Sequence, residues 1–289
     1  SEMCIRDRIK KARSLILFSG VFPNSYFRNI NVIWSRDMDI QTALSAFLPV
    51  SLEEMSGIRL MNRTDTKFVT SLDKLSLILQ FAVTDYRVQE VEGTRNIAYR
   101  TVYLDTSGRD MYMAHQNGHR VREKIRVRTY VSSGLTFLEV KNKDNKGRTD
   151  KRRIRVGNIH SLYTDGAEGF LEKHAWYHLS ELKPWLENNF YRITLVNKAM
   201  TERLTIDTDI CFCNLQTGKE AALNRMVIIE LKRDGRTFSP IREVLRNLHI
   251  QPSGISKYCM GTVLTSPTVK HNRFKQKIRV VGRIQEIVF

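Results

Sequence analysis

The sequence is short of cysteine, of long apolar runs and of negative charge, and each shortage excludes something. Cys4, Cys211, Cys213 and Cys259 are the 4 cysteines of 289 residues, too few for a disulfide scaffold. Cys211 and Cys213 alternate on one expected strand without a second Cys or His pair at metal-site spacing, so they read as plain thiols of a reducing compartment. A cytoplasmic location is the expectation. The only early apolar run, Ser14 to Phe22, is far shorter than the ~20 residues of a membrane span and lacks a small-residue cleavage context. Neither a signal peptide nor a membrane segment is expected. No repeat of solenoid period and no low-complexity tract is present.

What is abundant is positive charge. Hydrophobic residues at 42% and charged residues at 27% make an ordinary globular mixture, which excludes disorder as the main state. Against that background 47 Lys+Arg and 30 Asp+Glu leave 47 − 30 = +17 at pH 7. A surplus of this size implies an anionic partner: nucleic acid, an anionic membrane surface or polyphosphorylated small molecules.

Residues 1–37 differ in composition from the rest and read as a non-native or upstream extension, with Met38 as a credible start. From Asp39 the apolar positions Ile40, Leu44, Phe47 and Leu48 share a helical face, and Pro49 closes that helix. A second helix is expected over Leu52 to Ile58, a long strand over Arg59 to Val69, and a helix capped at Ser71 running to about Phe81. Alternating runs then predict strands over Tyr99 to Asp105, Val121 to Tyr130, Thr136 to Lys143, Arg152 to Val156, Arg192 to Leu195, Arg203 to Ile210 and Met226 to Lys232. Helices are expected over Ser107 to Gln116, over Gly166 to Leu186 in pieces, and over Pro240 to Leu248. The fold class that follows is α+β, a curved antiparallel sheet or closed β-barrel with flanking helices. Its main domain spans 38–265 and a basic tail 266–289.

Residues two apart on a strand share a face, and this rule sorts the charge. Arg122, Lys124, Arg126 and Arg128 face one way, with Val121, Ile125 and Val127 behind them. Glu139, Lys141 and Lys143 repeat the arrangement, as do Lys151, Arg153 and Arg155. Arg203 with Thr205 and Asp207, and Glu230 with Lys232, do so on later runs. A single strand of this kind is an ordinary solvated face. Several in succession place like charges side by side, which repels, and a polyanion held in a shared lumen would compensate it.

The ordered set Arg63-Thr-Asp65-Thr-Lys67-Phe68, Tyr103-Leu-Asp105-Thr106, Tyr112, His115, Gly118, Arg126-Val-Arg128, Glu139-Val-Lys141, Glu230-Leu-Lys232 and Ser256-Lys257-Tyr258 resembles the VTC domain of bacterial type. That domain is the polyphosphate polymerase branch of the triphosphate tunnel metalloenzymes. The resemblance implies an eight-stranded antiparallel tunnel and growth of an inorganic polyphosphate chain at the expense of ATP, with Mn²⁺ or Mg²⁺. By the same resemblance Lys67, Arg126, Arg128, Lys141, Arg203 and Lys257 are the phosphate-clamping catalytic set. Arg122, Lys124, Glu139, Lys151, Arg153, Lys198 and Lys232 are expected to bind substrate, and Glu230 to hold the metal.

Two features depart from the wider superfamily. Arg63 and the shorter Asp65 stand where its first two acids would precede Lys67, so the metal cluster of the hydrolytic relatives is incomplete and the polymerase branch is favoured. Lys198 stands where an Arg is usual, keeping the charge and losing the bidentate fork. The extra regulatory domain and membrane segment of eukaryotic members are not visible. Hydrolysis of triphosphate or tripolyphosphate, and non-catalytic binding of polyphosphate, stay open. Specific nucleic-acid binding is not expected, because Phe137 and Tyr130 lie near the basic positions without forming an interleaved stacking platform. His115 reads as a structural hydrogen-bonding residue, and Lys270 to Arg283 as a solvated terminal segment.

Overall fold

The computed structural model describes residues 40–56, 63–235 and 237–286; the expectations for residues 1–37 and the Met38 start lie outside them. Helix α1 (Ile40–Ser45), strand β1 (Pro49–Val50) and α2 (Leu52–Ser56) lead into β2 (Arg63–Ser71), α3 (Leu72–Ala82), β3 (Tyr86–Gln89) and β4 (Asn96–Asp105). Helix α4 (Asp110–Gln116), β5 (Arg122–Tyr130), β6 (Thr136–Lys143), β7 (Thr149–Val156) and α5 (Ala167–His174) follow. The chain ends with β8 (Lys183–Asn197), β9 (Glu202–Asn214), β10 (Glu220–Leu223), β11 (Met226–Asp234), α6 (Pro240–Asn247), α7 (Lys257–Thr265) and α8 (Lys275–Gln285).

The alternating runs became strands because each buries one apolar row. All strands of the main path pair antiparallel, in the order β2-β11-β9-β8-β4-β5-β6-β7. The sheet is not closed by pairing among the described residues, so the barrel expectation is corrected to an open sheet. It is nevertheless strongly curled: Lys141 on β6 lies close enough to Glu230 on β11 and Lys67 on β2 to feel their charge, although these strands sit near opposite ends of the order. The outer edge of β2 is covered by the chain leading to α7, through a bridge of Phe68 with Pro252 and a bond from the Ser253 amide to the Lys67 carbonyl, 2.7 Å.

Two apolar layers coat the convex side. Helices α1, α3 and α6 pack Leu44, Leu75, Ile78, Leu79 and Leu245 against Ile193, Leu204, Ile206, Ile229 and Leu231. Helix α5 packs Phe170 and Leu171 against Ile125, Leu138 and Val140. Helix α7 occupies the concave side instead. Gly261 permits this: a Cβ there would stand 2.5 Å from the Phe212 ring and 2.6 Å from Leu186, so only glycine lets the helix come so close.

Three local expectations are corrected. Pro49 opens β1, which pairs with β3, rather than ending the first helix. The stretch Lys183 to Leu186 belongs to β8, since its backbone continues the ladder with β4 and β9. The terminal segment is not a solvated tail: Phe274 and Val281 are buried in the same cluster as Tyr112, Tyr258 and Val263.

Candidate functional site

The register places the ionic residues on one continuous surface. Lys67 faces Glu230, which faces Thr205; Asp65 faces Lys232, which faces Arg203. Arg192 faces Asp207. Across β5, β6 and β7 the rows run Arg126, Glu139, Arg153 and then Lys124, Lys141, Lys151. Lys257, from the first turn of α7, reaches Asp207. The concave face therefore gathers Lys67, Arg122, Lys124, Arg126, Arg128, Glu139, Lys141, Lys151, Arg153, Arg203, Glu230, Lys232 and Lys257. Lys198 lies apart, on the exposed turn between β8 and β9.

Each buried carboxylate on this face is wrapped in cations. Glu139, 1% exposed, accepts from Arg126 at 2.6 Å and from Lys151, with Arg128 at 3.9 Å. Burial would raise its carboxyl, but Arg126, Arg128 and Lys151 hold it well below the usual carboxylate range. Asp207, 4% exposed, accepts from Arg192 at 2.6 Å and 2.8 Å and from Lys257. It too is held low against burial by its two partners. Glu230 receives Lys67 and, at 2.5 Å, Lys232, with the same result.

The cations are less comfortable than the acids. Arg128 is buried, and among the described residues its charge is met by the distant Glu139, a weak bond to Thr101 at 3.4 Å and the ring of Tyr99. Burial and the neighbouring Arg126 push it down to about 10. Burial is likewise the largest cause that brings Lys124, Lys232 and Lys257 from 10.5 to about 8. Between those values the unfolded chain holds more protons than the folded one, so these lysines make stability rise with pH across that window. The unliganded protein is expected to unfold at a higher temperature near pH ~9.5 than near pH ~7.5, while its affinity for phosphate chains falls over the same range. Thermal unfolding at matched ionic strength checks this, and a midpoint that declines steadily through the window would contradict it.

Position depends on a second, buried network. Asp105, at the end of β4, accepts from the amides of Thr106, Met111 and Tyr112 at 2.8, 3.0 and 3.0 Å and from the Tyr258 hydroxyl at 2.5 Å. The carboxylate thus joins the start of α4 to the residue after Lys257, and the Tyr258 ring stacks on Tyr103, 5.0 Å between centroids. His115 stands 3.0 Å from the Cys259 thiol, in keeping with a structural histidine. Asp105→Ala strands several donors at once and is expected to cost about 2–4 kcal/mol, read by chemical denaturation; a loss below about 1 kcal/mol, the value of one ordinary hydrogen bond, would contradict this positioning role.

The residues present do not form a cage for a resident metal. A divalent cation takes about six or more oxygen ligands, whereas among the described residues no three His, Cys, Asp or Glu side chains converge on one point. Glu230, the expected ligand, is already engaged by two ammonium groups. Sequence reasoning also missed partners of the site. Arg192 belongs to a strand read as short, and Tyr99 and Phe190 supply rings under Arg128, Arg192 and Lys257, the last at 4.2 Å. Phe137 similarly lies under Arg153, at 4.5 Å. Tyr99 and Phe190 are buried, so they support cations and do not offer stacking faces to bases. The signal for Tyr99 was present in the strand alternation of β4; pairing with β8 was not.

Fold and site together define an α+β protein whose curled antiparallel sheet carries a cation-dominated concave face. The chain belongs to the VTC domain family, whose sequence model matches residues 62–265. No curated protein matches it. Among solved structures it is similar to a candidate adenylate cyclase from Vibrio parahaemolyticus, at 12% identity and TM-score 0.42, covering 70% of this chain and 99% of that one. A candidate adenylate cyclase from Bacillus halodurans gives 13% and 0.43, covering 68% and 96%. A candidate adenylyl cyclase from Hippeastrum, described as having a dominant triphosphatase activity, gives 14% and 0.43, covering 73% and 100%. These likenesses are distant and support no functional statement. Among the described residues no helix is long and apolar enough to cross a membrane.

Proposed function

We propose that the chain is a polyphosphate polymerase, which moves the terminal phosphoryl group of ATP onto the end of an inorganic polyphosphate chain lying along the concave face of residues 38–265. The observation that carries this reading is the single ionic surface running across β2, β11, β9, β8, β5, β6 and β7, on which Asp65, Glu139, Asp207 and Glu230 are outnumbered by Lys and Arg. Membership of the VTC domain family supports it. Phosphoryl transfer demands little covalent chemistry of a protein; it needs fixed oxygens, an in-line acceptor and neutralised charge.

In this reading Lys67 meets the nucleotide's phosphates from β2, and Arg126, Arg128, Lys141, Arg203 and Lys257 clamp the non-bridging oxygens. Arg122, Lys124, Lys151, Arg153, Lys198 and Lys232 contribute further anion contacts, Lys198 only where a chain leaves past the β8–β9 turn. Glu139 holds Arg126 and Lys151 in place. The bond between the bridging oxygen and the terminal phosphorus breaks, ADP departs with that oxygen, and a terminal oxygen of the acceptor chain forms the new linkage. That acceptor is already ionised, so no general base is assigned. Mn²⁺ or Mg²⁺ is proposed to enter with ATP as part of the substrate; Glu230 would approach it only by releasing Lys67 or Lys232. The protein is read as cytoplasmic.

The test is incubation of the protein with ATP and Mn²⁺, followed by gel resolution of products. A ladder of phosphate chains with ADP is expected. Orthophosphate alone would assign hydrolysis, and recovery of unchanged ATP with bound polyphosphate would assign a binding protein.

A further inference from the structure

The start of β5 meets the C-terminal segment in a cluster of cations that the clamping set does not use. Arg122 and Lys124 extend from β5, and Arg273 and Lys277 come from the last turn before α8 and from α8 itself, outside the family match that ends at residue 265. The guanidinium of Arg273 lies directly over Gly118, where a Cβ would stand 2.6 Å from its nearest nitrogen. The Lys124 ammonium donates to the Ser256 hydroxyl at 2.9 Å, and that of Lys277 lies near Gly254, 4.0 Å from where a Cβ would stand. Phe274, buried between them, fixes the segment against Tyr112 and His115.

None of these four cations forms a salt bridge with a carboxylate of the described residues. The neutral groups they enclose offer no countercharge. Burial pushes the Cys259 thiol up, and burial together with Lys124, Arg122, Lys277 and Arg273 holds His115 well below the usual imidazole range. Lys277 is pushed down by burial and by Arg273 and Arg122. Elsewhere on the concave face Lys67, Arg126, Lys151, Arg192, Lys232 and Lys257 each pair with a carboxylate; here like charges are held together by packing. Arg273 is exposed and the other three are half-buried, so an incoming anion can reach them.

We propose that Arg122, Lys124, Arg273 and Lys277 form a second oligophosphate subsite, built jointly by β5 and the C-terminal segment, which holds the part of a phosphate chain extending beyond Arg126. Arg122 stands four residues along the strand from Arg126, or roughly 13 Å, a span that a chain longer than tripolyphosphate crosses. The proposal rests on the oligophosphate reading of the concave face. It assigns to the C-terminal segment a share in how long a chain is retained.

The double variant Arg273→Gln and Lys277→Gln tests it in calorimetric titrations with tripolyphosphate and with a long-chain polyphosphate at one ionic strength. Long-chain affinity is expected to fall about tenfold to a hundredfold, while tripolyphosphate affinity stays within about twofold, the value expected without a lost contact. The conservative pair Arg273→Lys and Lys277→Arg, which keeps the charges, is expected to restore long-chain binding and separates charge from folding. Equal weakening of both ligands, or unchanged long-chain affinity, overturns the subsite and leaves the oligophosphate reading standing. If the unaltered protein binds neither chain, the oligophosphate reading falls and the subsite with it. Preferential loss of single-stranded RNA binding in the variant would overturn the assignment of the ligand.

Discussion

Glu139→Gln is expected to destabilise the unliganded protein by about 3–5 kcal/mol, the cost of leaving buried charge uncompensated. The carboxylate is 1% exposed and sits among Arg126, Arg128 and Lys151. The amide keeps its shape and removes the acid that all three share. The loss is expected to shrink on adding tripolyphosphate, because a phosphate group can take the place of the missing charge and a ligand that binds only the folded state stabilises it. Acid should mimic the substitution. The Glu139 carboxyl titrates lower in the folded state than in the unfolded one, so its contribution is present above the ordinary carboxylate range and is lost as pH falls through the folded value. Denaturant unfolding with and without tripolyphosphate measures both terms; a variant as stable as the unaltered protein would show that Arg126 and Lys151 do not depend on Glu139.

Arg128→Met should act in the opposite sense on stability. Arg128 is buried beside Arg126, with Glu139 3.9 Å away and Tyr99 beneath it. An unbranched apolar side chain removes a poorly compensated cation while filling much of its volume, so the unliganded protein is expected to be equally or more stable. The cost appears in function. Loss of one charge-assisted phosphate contact is expected to weaken oligophosphate binding by roughly 1.5–3 kcal/mol, about one to two decades in affinity or rate. Opposed changes of this kind are the mark of a side chain kept for its ligand. A clearly lowered melting temperature with unchanged affinity would make Arg128 a structural residue.

Much of the ionic face was legible in the sequence, since period-two alternation alone puts Arg122, Lys124, Arg126 and Arg128 on one side of β5, and Glu139 with Lys141 on one side of β6. The register then joins those rows. What alternation does not encode is which strands become neighbours. Arg192 and Asp207 meet because β8 pairs with β9 across a bulge between Asn189 and Tyr191, and nothing in either strand announces it. The length of β8 was hidden for a related reason: Lys183 to Leu186 is too mixed in polarity to alternate visibly and is held extended by β4 and β9. The C-terminal segment looked like a charged tail because Phe274 and Val281 are sparse among basic residues; their burial depends on a surface formed by Tyr112 and Tyr258, far away in the chain. Closure failed as an expectation on similar grounds, for curvature is a property of the whole sheet and pairing of its last two edges is a separate fact.

The most direct test of the account is calorimetric titration of the unaltered protein with tripolyphosphate at fixed ionic strength, beside chloride and single-stranded RNA, with thermal unfolding of the same samples. The concave face predicts saturable tripolyphosphate binding, weakened in Arg128→Met, and stabilisation of about 2.7 kcal/mol at a hundredfold excess over Kd. Stabilisation no greater than that given by chloride at the same ionic strength would contradict it.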